Sequence, residues 1–293
     1  MNTRSLRANI LLLLTALIWG SAFVAQRVGM DHMGPLLFNG ARFILGSLAL
    51  LPLIMRMRAG LPAGTELLPR STVIRHGMIL GCALFFGSWL QQFGLCYTTA
   101  GNAGFITGLY VVFVPLIGLF LKQRYGMGTW IGSAMAVSGM YLLSVTKGFA
   151  ISKGDFLVLI SAVFWASHVL LIGRFSEGIR AVDAVRISSV QFGTCAAISL
   201  VAAVVFEPIS LSGLTGGILP ILYGGLMSVG IAYTLQVVAQ RDASPAPAAI
   251  ILSLEAVFAA LAGWLFLEEI MTVRAIAGCG LMLGGMILAQ VKP

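Results

Sequence analysis

Ten apolar runs, each about as long as a hydrocarbon layer is thick, leave this chain little choice of fold. They fall at about 9–28, 35–55, 73–95, 101–121 and 128–146, then at 154–174, 184–206, 217–239, 245–267 and 272–291. Turn formers stand between them: Gly34-Pro35, Gly60-Leu61-Pro62, Gly126-Met127-Gly128, Lys153-Gly154-Asp155 and Glu207-Pro208. The narrowest gap is Thr98 to Gly101. Only 10% of the residues are charged and 59% are hydrophobic, against about 25% charged in soluble domains. The expected fold class is an all-α integral membrane protein with ten transmembrane helices, and the lipid bilayer is its first partner.

Basic residues set the orientation. With the amino terminus in the cytoplasm, 13 of the 18 Lys and Arg fall inside. Arg27, Lys147, Lys153 and Arg274 fall outside, and Arg42 lies within the second run. Ten spans return the carboxyl terminus to the cytoplasm, so both termini are expected there. The net charge of +8 is spread between the runs without a continuous patch, so no nucleic-acid partner is expected. The first run follows Arg4 and Arg7 like a signal peptide, but stays apolar through Ala25 and reads as a first membrane helix. Cys82, Cys96, Cys195 and Cys279 lie in apolar runs without C-x-x-C spacing, and are expected as buried free thiols.

The chain repeats itself. Residues 90–143 overlay 235–288 at a constant shift of 145: Leu90-Gln91 on Leu235-Gln236, Ala103 on Ala248, Val112-Phe113 on Val257-Phe258, Gly118 on Gly263. Residues 13–21 resemble 159–167 at a shift of 146, and Arg42-Phe43 lies opposite Gln191-Phe192 at 149. The organisation expected is two five-helix units, residues 1–150 and 151–293. Five is odd, so the units are inverted and a central cavity is expected between them.

Two formal charges sit well inside the runs, Arg42 and Glu255. Arg42 lies about 10 Å from the outer end of the second run at 1.5 Å per residue, and Glu255 is near the middle of the ninth. A mid-span charge costs about 2.5–3.5 kcal/mol on insertion scales. Two readings stand: one or both face a central cavity, binding a zwitterion's carboxylate or a coupling proton, or they lock the second or ninth helix in place through an ion pair or separate hydrogen bonds. Polar residues recur at helical spacing beside them. The first run offers Thr15, Trp19 and Gln26, and the sixth offers Ser161, Trp165 and His168. Gln91 and Gln92 lie in the third, Asn102, Thr107 and Tyr110 in the fourth, and Tyr233, Gln236 and Gln240 in the eighth. Trp19 and Trp165 are repeat-equivalent, as are Tyr110 and Glu255. The Trp pair suits an apolar or aromatic substrate, or a packed core. His168 is either a proton carrier or a packing residue. Gly77/Gly81, Gly104/Gly108 and Gly280/Gly284 have small-xxx-small spacing that brings helices together. The same spacing serves dimerisation, so monomer and homodimer both stay open.

Three stretches carry a resemblance to a known family: A-L-I-W-G-S (16–21), Y-T-T-A-G-N-A-G-F-I-T-G-L-Y-V-V-F-V-P-L (97–116), and S-P-A-P-A-A-I-I-L-S-L-E-A-V-F-A-A-L-A-G-W-L-F-L-E-E (244–269). The chain resembles the drug/metabolite transporter superfamily, EamA type, over both repeats. The resemblance implies a secondary transporter exporting amino acids or other small metabolites, or exchanging them, in the bacterial inner membrane. The family often has Pro after the ninth-helix Glu; here Ala256 stands there, and a straighter helix is expected. Gln123-Arg124 replaces the acidic pair Glu268-Glu269 in the first repeat. A membrane lipid enzyme or a scaffold are the alternatives from other classes. No H-E-x-x-H, G-x-S-x-G or G-x-x-x-x-G-K-[ST] occurs. No catalytic residue, metal or cofactor is therefore expected, and the partner is a small-molecule substrate.

Overall fold

A bilayer offers backbone N–H and C=O groups no partner but each other, so apolar runs of this length close on themselves as helices. The computed structural model describes residues 3–98, 100–144, 152–266 and 272–291, and every regular element among them is helical. In the first half these are α1 (Thr3–Gly29), α2 (Pro35–Ala59), α3 (Arg70–Gly94), α4 (Ala100–Gly108), α5 (Tyr110–Phe120) and α6 (Met127–Ser144). The second half begins with α7 (Lys153–Ser176), α8 (Ala181–Phe206), and the short α9 (Leu211–Gly216) and α10 (Ile218–Leu222). A π-helical segment (Tyr223–Tyr233) then leads into α11 (Thr234–Ala239), and α12 (Pro245–Leu252), α13 (Glu255–Phe266) and α14 (Val273–Val291) follow. Seven helical stretches among the described residues are long and apolar enough to cross a membrane, and Pro245–Leu261 and Val273–Ala289 are shorter apolar helices. The chain is a multi-pass membrane protein. Lys147, Glu268, Glu269 and Lys292 lie outside the described residues.

Helix ends are tied by side chains from afar. The Glu207 carboxylate accepts from Leu36 N and Leu37 N, both at 2.8 Å, satisfying orphan donors at the start of α2. Ser152 and Asp155 form a capping box on α7, and Thr98 Oγ1 donates to Asp155 at 2.6 Å. Asp183 accepts from Leu68 N at 3.2 Å and binds Arg186 at 2.5 Å.

Packing brings α2 along α8, α3 against α7 and α8, α6 along α14, and α1 against the π segment, α11, α12 and α13. Gly77 and Gly81 permit the α3–α8 approach: a Cβ on Gly81 would stand 2.8 Å from Gln191 O. The expected Gly280/Gly284 contact is met in part: a Cβ on Gly284 would stand 3.0 Å from Met135 Cε of α6. Gly280 faces open space, and α14 meets α6 through Gly285, where a Cβ would stand 2.6 Å from Gly132 O. Gly104 is also loosely packed, with Phe23 3.8 Å from its would-be Cβ.

Two helices are interrupted, at Leu109 and at Ser253-Leu254, and Leu109 and Leu254 are 145 residues apart. Each interruption is a tightened turn: Leu109 N bonds Ile106 O at 3.2 Å, and Leu254 N bonds Ile251 O at 3.1 Å. The straighter ninth helix expected from Ala256 is therefore corrected. Ser253 Oγ donates to Ile250 O at 2.8 Å, and this back-bonding bends the helix without proline. The thiols are corrected in part: all four cysteines are free, but Cys82 and Cys96 are exposed and only Cys195 and Cys279 are buried. A cysteine on the outer face of a membrane helix meets lipid tails instead of neighbouring helices.

The π segment contains Gly224, Gly225 and Gly230 and lies against α2. A Cβ on Gly225 would stand 2.7 Å from the Leu45 side chain, so α2 needs a bare backbone there. A π turn misaligns carbonyls, and α1 collects them: Trp19 Nε1 donates to Ser228 O at 3.3 Å and Thr15 Oγ1 to Ala232 O at 3.2 Å.

Candidate functional site

Helices from both halves converge on a narrow cavity of about 40 Å³, room for a water or two and well below the roughly 300–1,000 Å³ of open small-molecule sites. Nine of the ten residues singled out in the sequence line it: Trp19, Arg42, Gln91, Tyr110, Trp165, His168, Tyr233, Gln236 and Glu255. Gln92 does not. Its Nε2 donates to Gln26 O at 3.0 Å instead, because consecutive helical residues point about 100° apart. Thr107, named beside them, lines the wall and accepts from Gln91 Nε2 at 2.9 Å. Phe23, Val169, Ser228 and Leu252 complete the wall with Gln26. The sequence carried a signal for four of these: Phe23 and Val169 are 146 apart, Thr107 and Leu252 are 145 apart.

Tyr233 is the hub of an aromatic cage. Its ring centroid lies 4.5 Å from Trp19, 6.1 Å from Trp165, 6.0 Å from Phe43 and 6.2 Å from His168. The indoles differ in their bonding. Trp19 Nε1 is held by the π segment, whereas Trp165 Nε1 has no hydrogen-bond partner among the described residues. His168 Nε2 pairs with Gln191 Oε1 at 2.9 Å behind the wall.

Arg42 is 2% exposed, with its guanidinium 4.8 Å from the Phe43 centroid and 5.4 Å from Phe38. Its Nε donates to Asn39 Oδ1 at 3.0 Å. The ion pairs among the described residues are Arg27–Asp31 and Arg186–Asp183. Arg42 and Glu255 therefore form no ion pair with each other, and that version of the helix lock falls. Tyr110 and Glu255 face each other closely enough for a weak side-chain hydrogen bond, yet among the described residues Tyr110 Oη, Glu255 Oε1 and Gln236 Oε1 have no partner at full bonding geometry. Each of Tyr110 and Glu255 opens a helix just after an interruption, where first-turn N–H groups and a positive dipole end lie close by.

A second, larger cavity of about 650 Å³ opens at the ends of α5 and α7 and the 240–245 turn, lined by Arg174, Glu177, Gln240, Arg241 and Asp242 among others. Val169 lines the first cavity and Leu170 the second. Gln240 Nε2 donates to Val169 O at 3.0 Å in the layer between them.

The sequence profile of the EamA-like transporter family matches residues 6–145 and again 152–290. The chain belongs to the EamA-like transporter family. An "uncharacterized transporter" of Archaeoglobus fulgidus is 33% identical over 99% of this chain and 87% of its own length. A "probable amino-acid metabolite efflux pump" of Salmonella typhimurium is 30% identical over 55% of this chain and 52% of its own. A solved crystal structure shares the fold at a TM-score of 0.75, with 21% identity over 97% of this chain and 96% of that one. As a transporter of this family, the protein has in the first cavity a chamber with unspent polar groups and walls drawn from both matched segments.

Proposed function

We propose that the protein is a secondary transporter exporting small zwitterionic metabolites, amino acids foremost, across the bacterial inner membrane. It works by alternating access between two inverted five-helix repeats, residues 1–150 and 151–293, with ten spans and both termini cytoplasmic. The observation that carries this reading is the pairing in the cavity wall. Trp19/Trp165 and Phe23/Val169 are 146 apart; Gln91/Gln236, Thr107/Leu252 and Tyr110/Glu255 are 145 apart. A two-fold axis in the membrane plane brings such pairs around one centre. The helix contacts support the same axis. The α3–α7 contact has its counterpart in α11 and the π segment against α1, α3–α8 in the π segment against α2, and α2–α8 and α6–α14 pair with themselves.

The chamber's chemistry suits a zwitterion. Arg42 presents a guanidinium able to take a carboxylate, its Nε already turned to Asn39, and Trp165 adds an unspent N–H. Glu255 Oε1 and Gln236 Oε1 are unspent acceptors for an ammonium group. The cage around Tyr233 receives an apolar or aromatic side chain. The name of the Salmonella relative favours amino acids within this class. The larger cavity bears Arg174 and Arg241 on the side that the positive-inside rule assigns to the cytoplasm, so this conformation loads from within. At the far end of the chamber, the Gln92–Gln26 bond closes α3 onto α1.

The test is counterflow of labelled amino acids in proteoliposomes, guided by resistance of an overexpressing strain to toxic amino-acid analogues. Movement of an amino acid that falls tenfold or more in Arg42→Lys and Glu255→Gln supports the reading. Absence of movement for every compound, or movement indifferent to both variants, refutes it. Uptake that ignores an imposed pH gradient and survives Glu255→Gln and His168→Ala assigns facilitation; a pH-driven flux lost in Glu255→Gln assigns proton coupling.

A further inference from the structure

A groove of about 330 Å³ lies outside the transport chamber, between the end of α2, the start of α3 and the outer face of α8. Arg58, Arg70 and Arg186 converge in it from these three helices, and Ile54, Val73, Ile74 and Val190 are among its aliphatic lining. Arg186 is built in: Nη1 binds Asp183 Oδ1 at 2.5 Å and Leu68 O at 3.1 Å, while Asp183 Oδ2 accepts from Leu68 N at 3.2 Å. This ties the connection before α3 to α8 and fixes Arg70 beside Arg186. Asp183 is spent in that tie. Arg58 and Arg70 have no ion-pair partner among the described residues.

Electrostatics makes the arrangement unfavourable by itself. Arg58 sits in the last turn of α2, where the helix dipole favours a cation. Arg70 is the first residue of α3, where the dipole opposes one, and two further guanidiniums share the groove. An anion relieves all three repulsions at once. The walls define its kind. They continue onto an apolar outer surface, where Leu51, Leu53, Ile74 and Met78 are exposed at 47%, 42%, 39% and 51%, and such a surface on membrane helices meets acyl chains. We propose that this groove is a binding site for an anionic phospholipid, its phosphate held by Arg58, Arg70 and Arg186 and its chains lying along Ile54, Ile74 and Val190. Basic pockets between membrane helices at the cytoplasmic side take such headgroups.

The experiment uses the full-length protein, delipidated in detergent, and counts bound lipid by native mass spectrometry. Phosphatidylglycerol and phosphatidylcholine with the same acyl chains are compared, with inorganic phosphate as competitor. Phosphatidylglycerol binds on the order of tenfold tighter than phosphatidylcholine, survives millimolar phosphate, and loses that preference in the double variant Arg58→Gln/Arg70→Gln. The double variant Arg56→Gln/Arg75→Gln removes equal charge from exposed positions outside the groove and keeps the preference. Equal binding of both lipids, or equal loss in both double variants, overturns the site. Displacement by inorganic phosphate overturns the lipid in favour of a free anion. Should the groove double variant not fold, the single variants Arg58→Gln and Arg70→Gln carry the same comparison. The readout is independent of transport, so failure here leaves the transport reading standing, and the reverse.

Discussion

Gly20 is the point where α1 touches the backbone of the residue at the centre of the chamber. A Cβ there would stand 2.6 Å from Glu255 O, 2.8 Å from Ala259 N and 2.8 Å from Phe258 Cβ. Ordinary contact begins near 3.4 Å, so Gly20→Ala forces α1 and α13 apart by about 0.6–0.8 Å at this crossing. Two of the three obstructing atoms are backbone, so no rotamer change relieves the clash. Overpacking of this kind costs about 1–3 kcal/mol, partly offset by the ~0.5–1 kcal/mol that alanine gains over glycine in a helix. Gly280→Ala is the matched control. It lies in α14 with nothing within 4 Å of its would-be Cβ, so it keeps the helical gain without the clash. The two variants should therefore differ by about 1–3 kcal/mol in unfolding free energy, Gly20→Ala being the less stable. Titration with a denaturing detergent, followed by circular dichroism, measures the difference. Because the displaced atom is Glu255's own carbonyl, the carboxylate moves relative to Tyr110, and Gly20→Ala should also raise the KM for transport without altering any polar group. Equal stability of the two alanine variants would refute the close crossing, and with it the seating of the Glu255 backbone against α1.

The two repeat-equivalent indoles should separate by readout. Trp19→Phe removes the bond to Ser228 O and should cost about 0.5–1.5 kcal/mol of stability, whereas Trp165→Phe breaks no protein bond and should raise KM at unchanged thermal stability. Arg42→Lys loses the planar stack on Phe38 and Phe43 and the Nε bond to Asn39; labelled-substrate binding should fall about tenfold or more while helix content, read by circular dichroism, holds. Glu207→Ala leaves Leu36 N and Leu37 N without their acceptors and should cost about 0.5–2 kcal/mol in the same detergent titration, with Glu207→Gln in between.

Much of the helix plan was legible because a bilayer enforces it in composition: the long apolar helices and the turns between them need no knowledge of packing. Helix phase was not legible. α3 meets α7 and α8 on different sides, so its apolar residues form no single stripe, and Gln91 and Gln92 look alike in sequence although only Gln91 reaches the chamber. The same lack of a stripe hid the outward direction of Cys82. Long-range caps were illegible for another reason. Glu207 serves α2 from 170 and 171 residues away, and in sequence it reads only as part of a turn with Pro208. Both interruptions were missed because the signal sought was proline, while Ser253 bends its helix through a carbonyl and Leu109 has no side-chain signal at all.

Tyr110 and Glu255 draw these strands together. Sequence offset alone made them equivalent, one a phenol and one an acid, and left open whether the acid served a substrate or a lock. An ion-pair lock requires a cationic partner within reach, and among the described residues Glu255 has none. A hydrogen-bonded lock has only a loose form here: Glu255 and Tyr110 face each other closely enough to interact, but Oε1 and the Tyr110 hydroxyl make no bond at full geometry among the described residues. Burying such groups unpaired costs about 1–3 kcal/mol each, more for a charge, in a chain that elsewhere spends Glu207, Asp155 and Asp183 on backbone and side-chain donors. Part of that cost falls where two interrupted helices begin again, at Tyr110 and Glu255, and the proposed substrate would offset it there.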